Sequence, residues 1–206
     1  MSTKITAILV AEAKPGKEVA LQQAFLAVVA RSKAEYGCLE YRIQVESTNP
    51  AKVILYGTWE DEQSHYCHAE QEYLQQLVKR LSTDDLLMSP FVVYFLSHIS
   101  DAGKPSSGSS AHVVFVRLVA KPGKESSLQQ ALVNVALQSA QESSCIEYHV
   151  HRDVEDQAAF MLYEVWQSAE QHQQQFTKPY ILDFGSFLEK EDVLAHPWCA
   201  VFARPL

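Results

Sequence analysis

The chain has 206 residues, 47% of them hydrophobic and 20% charged, with a formal net charge of -8. This is the composition of an ordinary globular protein, long enough for two units that each bury a core, without disordered or fibrous bias. With no Lys/Arg patch to offset the acidity, nucleic acid and anionic membranes are excluded as primary partners, and no apolar stretch reaches the roughly 18 residues of a membrane-spanning helix.

Residues 4–12 are apolar on both alternating faces, which predicts a strand buried on both sides. Lys14-Pro15-Gly16-Lys17-Glu18 then punctuates the chain and opens a helix to about Tyr36, with Leu21, Phe25, Val28 and Val29 on one stripe and Gly37 as its stop. Cys38 to Glu46 alternates as a second strand, Ser47 to Pro50 turns, and Lys52 to Trp59 returns, giving a hairpin. Glu60, Asp61 and Glu62 put negative charge at the start of a broken helical region reaching Leu81. Phe91 to Leu96 closes the set as a strand.

The order strand, helix, strand, strand, helix, strand is that of a ferredoxin-like split βαβ unit. Adding 107 to these positions finds the same landmarks again: Lys121-Pro122-Gly123-Lys124-Glu125, the stripe Leu128, Leu132, Val135 and Ala136, Cys145 to Tyr148, and Leu162, Tyr163, Trp166, His172 and Tyr180. The chain is therefore read as a duplicated domain, residues 1–99 and 112–206, joined by a Gly/Ser-rich flexible linker over 100–111. The expected fold class is α+β, two βαββαβ repeats whose antiparallel sheets pack face to face as an intramolecular barrel. A free strand edge would further permit a homodimer of the tandem chain.

The four cysteines, Cys38, Cys67, Cys145 and Cys199, fall in no Cys-x-x-Cys pattern, and the N-terminus lacks a signal peptide's apolar run. Free thiols in a reducing cytoplasm are expected. His65 with His68, and His149 with His151, have the look of metal-ligand pairs, but spacing places no carboxylate or cysteine to complete either, so no metal is expected. No Gly-x-Gly-x-x-Gly follows a strand, and no organic cofactor is expected. Arg42, His149 and His151 are polar positions on strands with covered faces, and are candidates for lining a ligand pocket.

The Pro-Gly-Lys-Glu loop, the Glu35-x-Gly37-Cys38-x-x-Tyr41 junction and the Tyr56-x-x-Trp59 block with His68 nine residues on resemble the antibiotic biosynthesis monooxygenase-like domains of the dimeric α+β barrel superfamily. The resemblance covers both halves. It implies a small-molecule pocket between helices and sheet, and cofactor-independent oxygenation of a small aromatic or enolisable metabolite as the leading activity, with a non-catalytic ligand-binding or structural protein as the alternative. The glutamate that members carry after the block's Tyr is matched by Glu164 and not by Gly57, while the His is matched by His68 and not by Gln175. Haem cleavage is disfavoured, because Ala69 and Phe176 stand where haem-degrading relatives have a His and the first strand has no Asn.

For such chemistry Trp59 and Tyr56 would form an aromatic wall with a phenolic donor and His68 would act as general base. Those three are the catalytic candidates; His65, Tyr73, Arg42, Tyr163, Trp166, His172, Tyr180, His149 and His151 are the ligand-binding candidates. The competing reading makes the tryptophans core side chains and His65 and His172 surface or capping residues. Since the first repeat keeps the His, it is the one expected to work if only one repeat does.

Overall fold

The structure is a computed structural model describing residues 4–103 and 112–206. The chain divides into two compact units, Met1–Ser97 with Arg204–Leu206, and His98–Ala203. The first repeat runs β1 (Ile5–Glu12), α1 (Glu18–Lys33), β2 (Cys38–Glu46), β3 (Lys52–Trp59), α2 (Glu62–Ala69), α3 (Glu72–Thr83) and β4 (Val92–Gly103). The second runs β5 (His112–Val119), α4 (Glu125–Ser139), β6 (Cys145–Asp153), β7 (Ala159–Trp166), α5 (Ala169–Gln175), α6 (Pro179–Lys190) and β8 (Cys199–Pro205). These are the two βαββαβ repeats the sequence implies, with the second helix of each broken in two.

In the first repeat the strands pair antiparallel in the order β4-β1-β3-β2, and in the second β8-β5-β7-β6. The register is the same in both: Ile5 lies opposite Trp59, and His112 lies opposite Trp166. Both second strands carry an irregularity at their first residues, between Cys38 and Glu40 and between Cys145 and Glu147.

The helix stripe forms as read. Leu21, Phe25 and Val28 pack with Leu77 and Leu81 over Tyr41, Ile43, Val53, Leu55 and Trp59. Leu128, Leu132, Val135 and Ala136 do the same over Tyr148, Val150, Leu162 and Trp166. Leu21 and Phe25 are fully buried; truncating the phenyl ring to Ala would cost about 3–5 kcal/mol through lost transfer energy and the cavity left behind.

Local chemistry sets the helix ends. Asp61 caps α2, its Oδ1 accepting from both the backbone N–H and the hydroxyl of Ser64 at 2.7 Å. Gly37 follows α1 with φ +75°, and a Cβ there would meet Ser64 Oγ at 2.3 Å. Glycine is thus required twice over, by backbone conformation and by the close approach of α2.

Two expectations shift. The first helix spans Glu18–Lys33, shorter at both ends than Pro15 to Tyr36, because Pro-Gly and Gly37 are turn residues outside it. The closing strand continues to Gly103, so residues 100–103 of the expected linker are strand, and the remainder, 104–111, lies outside the described residues. Among the described residues no helix is long and apolar enough to cross a membrane.

Candidate functional site

Each repeat gathers the same set of positions at one end of its sheet. Trp59 and Trp166 end β3 and β7, the short helices α2 and α5 follow at once, and Glu35 and Glu142 sit just beyond α1 and α4. The chemistry differs between the copies at three places, Gly57 against Glu164, His68 against Gln175 and Ile5 against His112.

In the first repeat the Glu35 carboxylate takes His68 Nδ1 at 2.7 Å and the Tyr73 hydroxyl, and Tyr73 Oη also lies 3.0 Å from Ser32 Oγ. A carboxylate only accepts, so Nδ1 carries the proton and Nε2 presents its lone pair. Burial lowers the pKa of His68 despite the opposing pull of Glu35, which keeps the ring neutral. The His65 and His68 rings each lie 4.7 Å from that of Trp59, His65 edge-on and His68 tilted, and Tyr41 is edge-on at 6.1 Å. His65 also packs on Phe95 at 5.3 Å.

Trp59 takes this place because residue 57 is glycine. A Cβ there would meet Trp59 Cη2 at 2.4 Å and Cζ3 at 2.8 Å. The indole nitrogen is buried without a hydrogen-bond partner among the described residues. His68 and Trp59 are therefore brought together in a packed aromatic cluster. Tyr73 additionally lines a cleft of about 250 Å³ between α1 and α3, beside Arg31 and Arg80.

The second repeat keeps the brace and changes its centre. Gln175 Nε2 donates to Ser139 Oγ at 2.5 Å and to Tyr180 Oη at 3.3 Å, and the Tyr180 hydroxyl donates to Glu142. Glutamine thus substitutes for His68 in this network, so the brace needs a hydrogen-bonding side chain rather than a titrating one.

At the centre stands Glu164. Its Oε2 accepts the Trp166 indole N–H at 2.9 Å and lies 3.5 Å from His172 Nε2. His172 Nδ1 is in turn 3.3 Å from His112 Nε2. Burial, and then the charge of Glu164 and a hydrogen bond to it, push the Tyr148 phenol well above its usual range. Burial, and then His172, lower the pKa of His112. The result is a line of ionisable side chains, Glu164, His172 and His112, all buried.

A cavity of about 220 Å³ opens onto this line. Glu164, His172, Gln175 and Tyr148 form its polar part; Phe176, Phe184, Trp198 and Phe202 supply aromatic wall. His112 stacks on Phe202 with ring centroids 5.6 Å apart. The volume is below the roughly 300 Å³ at which drug-sized pockets begin, so a small molecule fits better than a large one.

The remaining candidates point elsewhere. Side chains alternate along a strand, so Tyr56 and Arg42, paired across β3 and β2, lie on the sheet face opposite Trp59 and His68. Tyr163 and His149 hold the equivalent positions and stack at 5.9 Å. His151 is fully buried on that face. Tyr56 therefore does not join His68 and Trp59, and Tyr163, His149 and His151 do not reach the cavity, whereas Trp166, His172 and Tyr180 belong to the network around it.

Glu164 was legible as a family position, and His172 as a repeat of His65. His112, Trp198, Phe202 and Phe184 were not singled out, although the offset sets His112 against Ile5 and would have marked it as a polar residue gained in an apolar strand. The cavity lined by a buried carboxylate is in the second repeat, whereas the sequence favoured the first if only one repeat works.

Comparison with known proteins agrees with this architecture. The antibiotic biosynthesis monooxygenase family matches residues 4–80 and again 111–185. A candidate monooxygenase from Fusobacterium nucleatum superposes with a TM-score of 0.87 at 13% identity, covering 100% of this chain and 93% of the other. One from Lactobacillus acidophilus gives 0.82 at 11% identity, covering 99% and 94%. An anthrone oxidase-like protein gives 0.74 at 12%, covering 100% and 92%. At these identities the likeness is one of fold. No curated protein matches the chain.

Proposed function

The chain belongs to the antibiotic biosynthesis monooxygenase family, and from that premise we propose that its second repeat oxygenates a small, flat, enolisable aromatic molecule without a cofactor. The observation that carries this reading is the Glu164–His172–His112 line at the polar part of an aromatic-walled cavity.

The chemistry such a site supports begins with a proton. A substrate methylene flanked by aromatic and carbonyl groups gives up its C–H proton to the Glu164 carboxylate, and His172 and His112 relay it. The carbanion is delocalised as an enolate over its carbonyl and aromatic groups. Electrons pass from the carbanion to dioxygen and a C–O bond forms, giving a hydroperoxide once a proton returns. Loss of the second C–H proton breaks the O–O bond and expels water. In sum, one substrate methylene and one dioxygen become one carbonyl and one water, with four electrons leaving the carbon and four reducing dioxygen. Trp166 holds the Glu164 carboxylate in place, and the apolar walls keep bulk water from the carbanion.

The test is oxygen uptake by the full chain on a panel of anthrones, hydroquinones and small enediols. Turnover that falls about a hundredfold or more in Glu164→Gln while ligand still binds supports the reading. Saturable binding with no oxygen uptake on any member would leave the binding protein as the function. Turnover unchanged in Glu164→Gln but lost in His68→Ala would move the site to the first repeat.

A further inference from the structure

A second cluster of titratable side chains lies in the unit His98–Ala203 and takes no part in the cavity. His98 and Asp101 come from the end of β4, and His149 from β6. Asp101 Oδ1 is 2.8 Å from His149 Nδ1 and also contacts His98 Nε2. One ligand atom from each of the three falls within 4.8 Å of the others.

We propose that His98, Asp101 and His149 bind a divalent first-row transition-metal ion of the zinc class, pinning the end of β4 to β6. Zinc takes imidazole nitrogen and carboxylate oxygen at about 2.0–2.2 Å in tetrahedral geometry, so two of its ligands lie about 3.3–3.6 Å apart. A set already within 4.8 Å closes on an ion with side-chain movements of about 1 Å. Two imidazoles and a carboxylate suit zinc, cobalt or iron better than magnesium or calcium, which call for oxygen alone.

The surroundings support the assignment. With Nδ1 of His149 on the ion, its Nε2 faces Glu147 Oε2 at 3.5 Å, the carboxylate–histidine–metal arrangement that fixes a ligand's tautomer and orientation. Tyr163 stacks on His149 with an interplanar angle of 17°, and His151 packs edge-on against His98 with centroids 4.5 Å apart, so both imidazoles are held by neighbours. The Asp101 side chain is 44% exposed, against 10% for His98 and 13% for His149, which leaves an entry path on the carboxylate side. The sequence offered His149 and His151 as an incomplete pair; folding supplies the missing His and carboxylate from a strand some 50 residues earlier.

The proposal is independent of the reaction assigned to the cavity. Its test is equilibrium dialysis of the full chain, carrying Cys67→Ser and Cys199→Ser to remove the exposed thiols, against Zn2+, with Co2+ as a spectroscopic probe. The expected result is one ion per chain and a Zn2+-dependent rise in melting temperature. Asp101→Asn and His149→Gln should each weaken binding about tenfold or more and abolish the rise, and Glu147→Gln should weaken it about tenfold. Because Asp101→Asn leaves the neutral shape nearly intact, its circular dichroism should match the parent. Absence of stoichiometric binding would overturn the proposal. So would binding that survives Asp101→Asn but is lost in His172→Gln, which would put the ion on the other cluster.

Discussion

The Trp166 indole N–H donates to the Glu164 carboxylate at 2.9 Å. One repeat earlier, the same tryptophan lies over a glycine, and its buried nitrogen has no partner among the described residues. The position of Gly57 and Glu164 thus separates a tryptophan packed on glycine from one bonded to a buried acid. The carboxylate gives the second tryptophan an acceptor, and the missing side chain gives the first a place to lie.

That asymmetry predicts unequal costs for the same substitution. Trp166→Phe removes a hydrogen bond to a carboxylate as well as apolar area, and should destabilise by about 1.5–3 kcal/mol from the bond alone. Trp59→Phe removes an N–H that has no acceptor, so only contact area is lost and part of the cost is offset by removing an unsatisfied group. Urea denaturation should find Trp166→Phe the more damaging by about 1–2 kcal/mol; equal losses, or a larger loss for Trp59→Phe, would contradict the assignment.

Stability should fall on mild acidification. Burial is the first cause that lowers the pKa of His65, His68, His112 and His151, with nearby histidines adding to it for His65, His112 and His151. A group with a depressed folded pKa contributes its full stability above the unfolded value of about 6.5 and loses it as pH falls toward the folded value, because the unfolded chain takes up the proton first. Each such histidine adds a slope of up to about 1.4 kcal/mol per pH unit below pH 6.5. Denaturation curves at pH 7.5, 6.5 and 5.5 should show little change across the first interval and a clear drop across the second. A flat profile through pH 5.5 would mean that these rings are solvated.

Much of this was readable before folding. The stripe Leu21, Phe25, Val28 and the strand alternation depend on period alone, and duplication doubled the signal, so the element order followed from the sequence. Faces were harder. Tyr56 and Trp59 are three residues apart on one strand, and an odd separation sends them to opposite sides, which removes Tyr56 from the set around His68. The cavity was not legible, because it depends on where aromatic bulk is missing: Phe176, Phe184, Trp198 and Phe202 look like core residues in sequence and become walls only in three dimensions.

Thiol reactivity should divide the four cysteines evenly. Burial pushes the Cys38 thiol up to about 11 and the Cys145 thiol up to about 12, with nearby glutamates adding to the shift. Cys67 and Cys199 are exposed. Only a thiolate attacks a disulfide reagent or maleimide, so brief labelling of the native protein at pH 7.5 should modify Cys67 and Cys199 and spare Cys38 and Cys145, with all four modified after unfolding. Peptide mass spectrometry reads the sites directly. Rapid labelling of Cys145 would place it on a surface and not in the core.

The cavity wall offers the most direct separation of stability from binding. Gly185 sits within α6 and lines the cavity, and a Cβ built there meets nothing within 4 Å. The first repeat has Val78 at that position. Gly185→Ala should therefore stabilise the protein by about 0.5–1 kcal/mol, since alanine restricts the unfolded chain and favours helix without steric cost. Gly185→Leu adds bulk at the wall and should weaken binding of anilinonaphthalene sulfonate about tenfold, equivalent to about 1.4 kcal/mol, with the fold intact. Glu164→Gln leaves the apolar walls untouched and should bind this dye at least as well as the parent. If Gly185→Leu binds the dye as tightly as the parent, the dye and by inference the ligand enter by another wall, and the role given to α6 fails while the Glu164–His172 geometry stands.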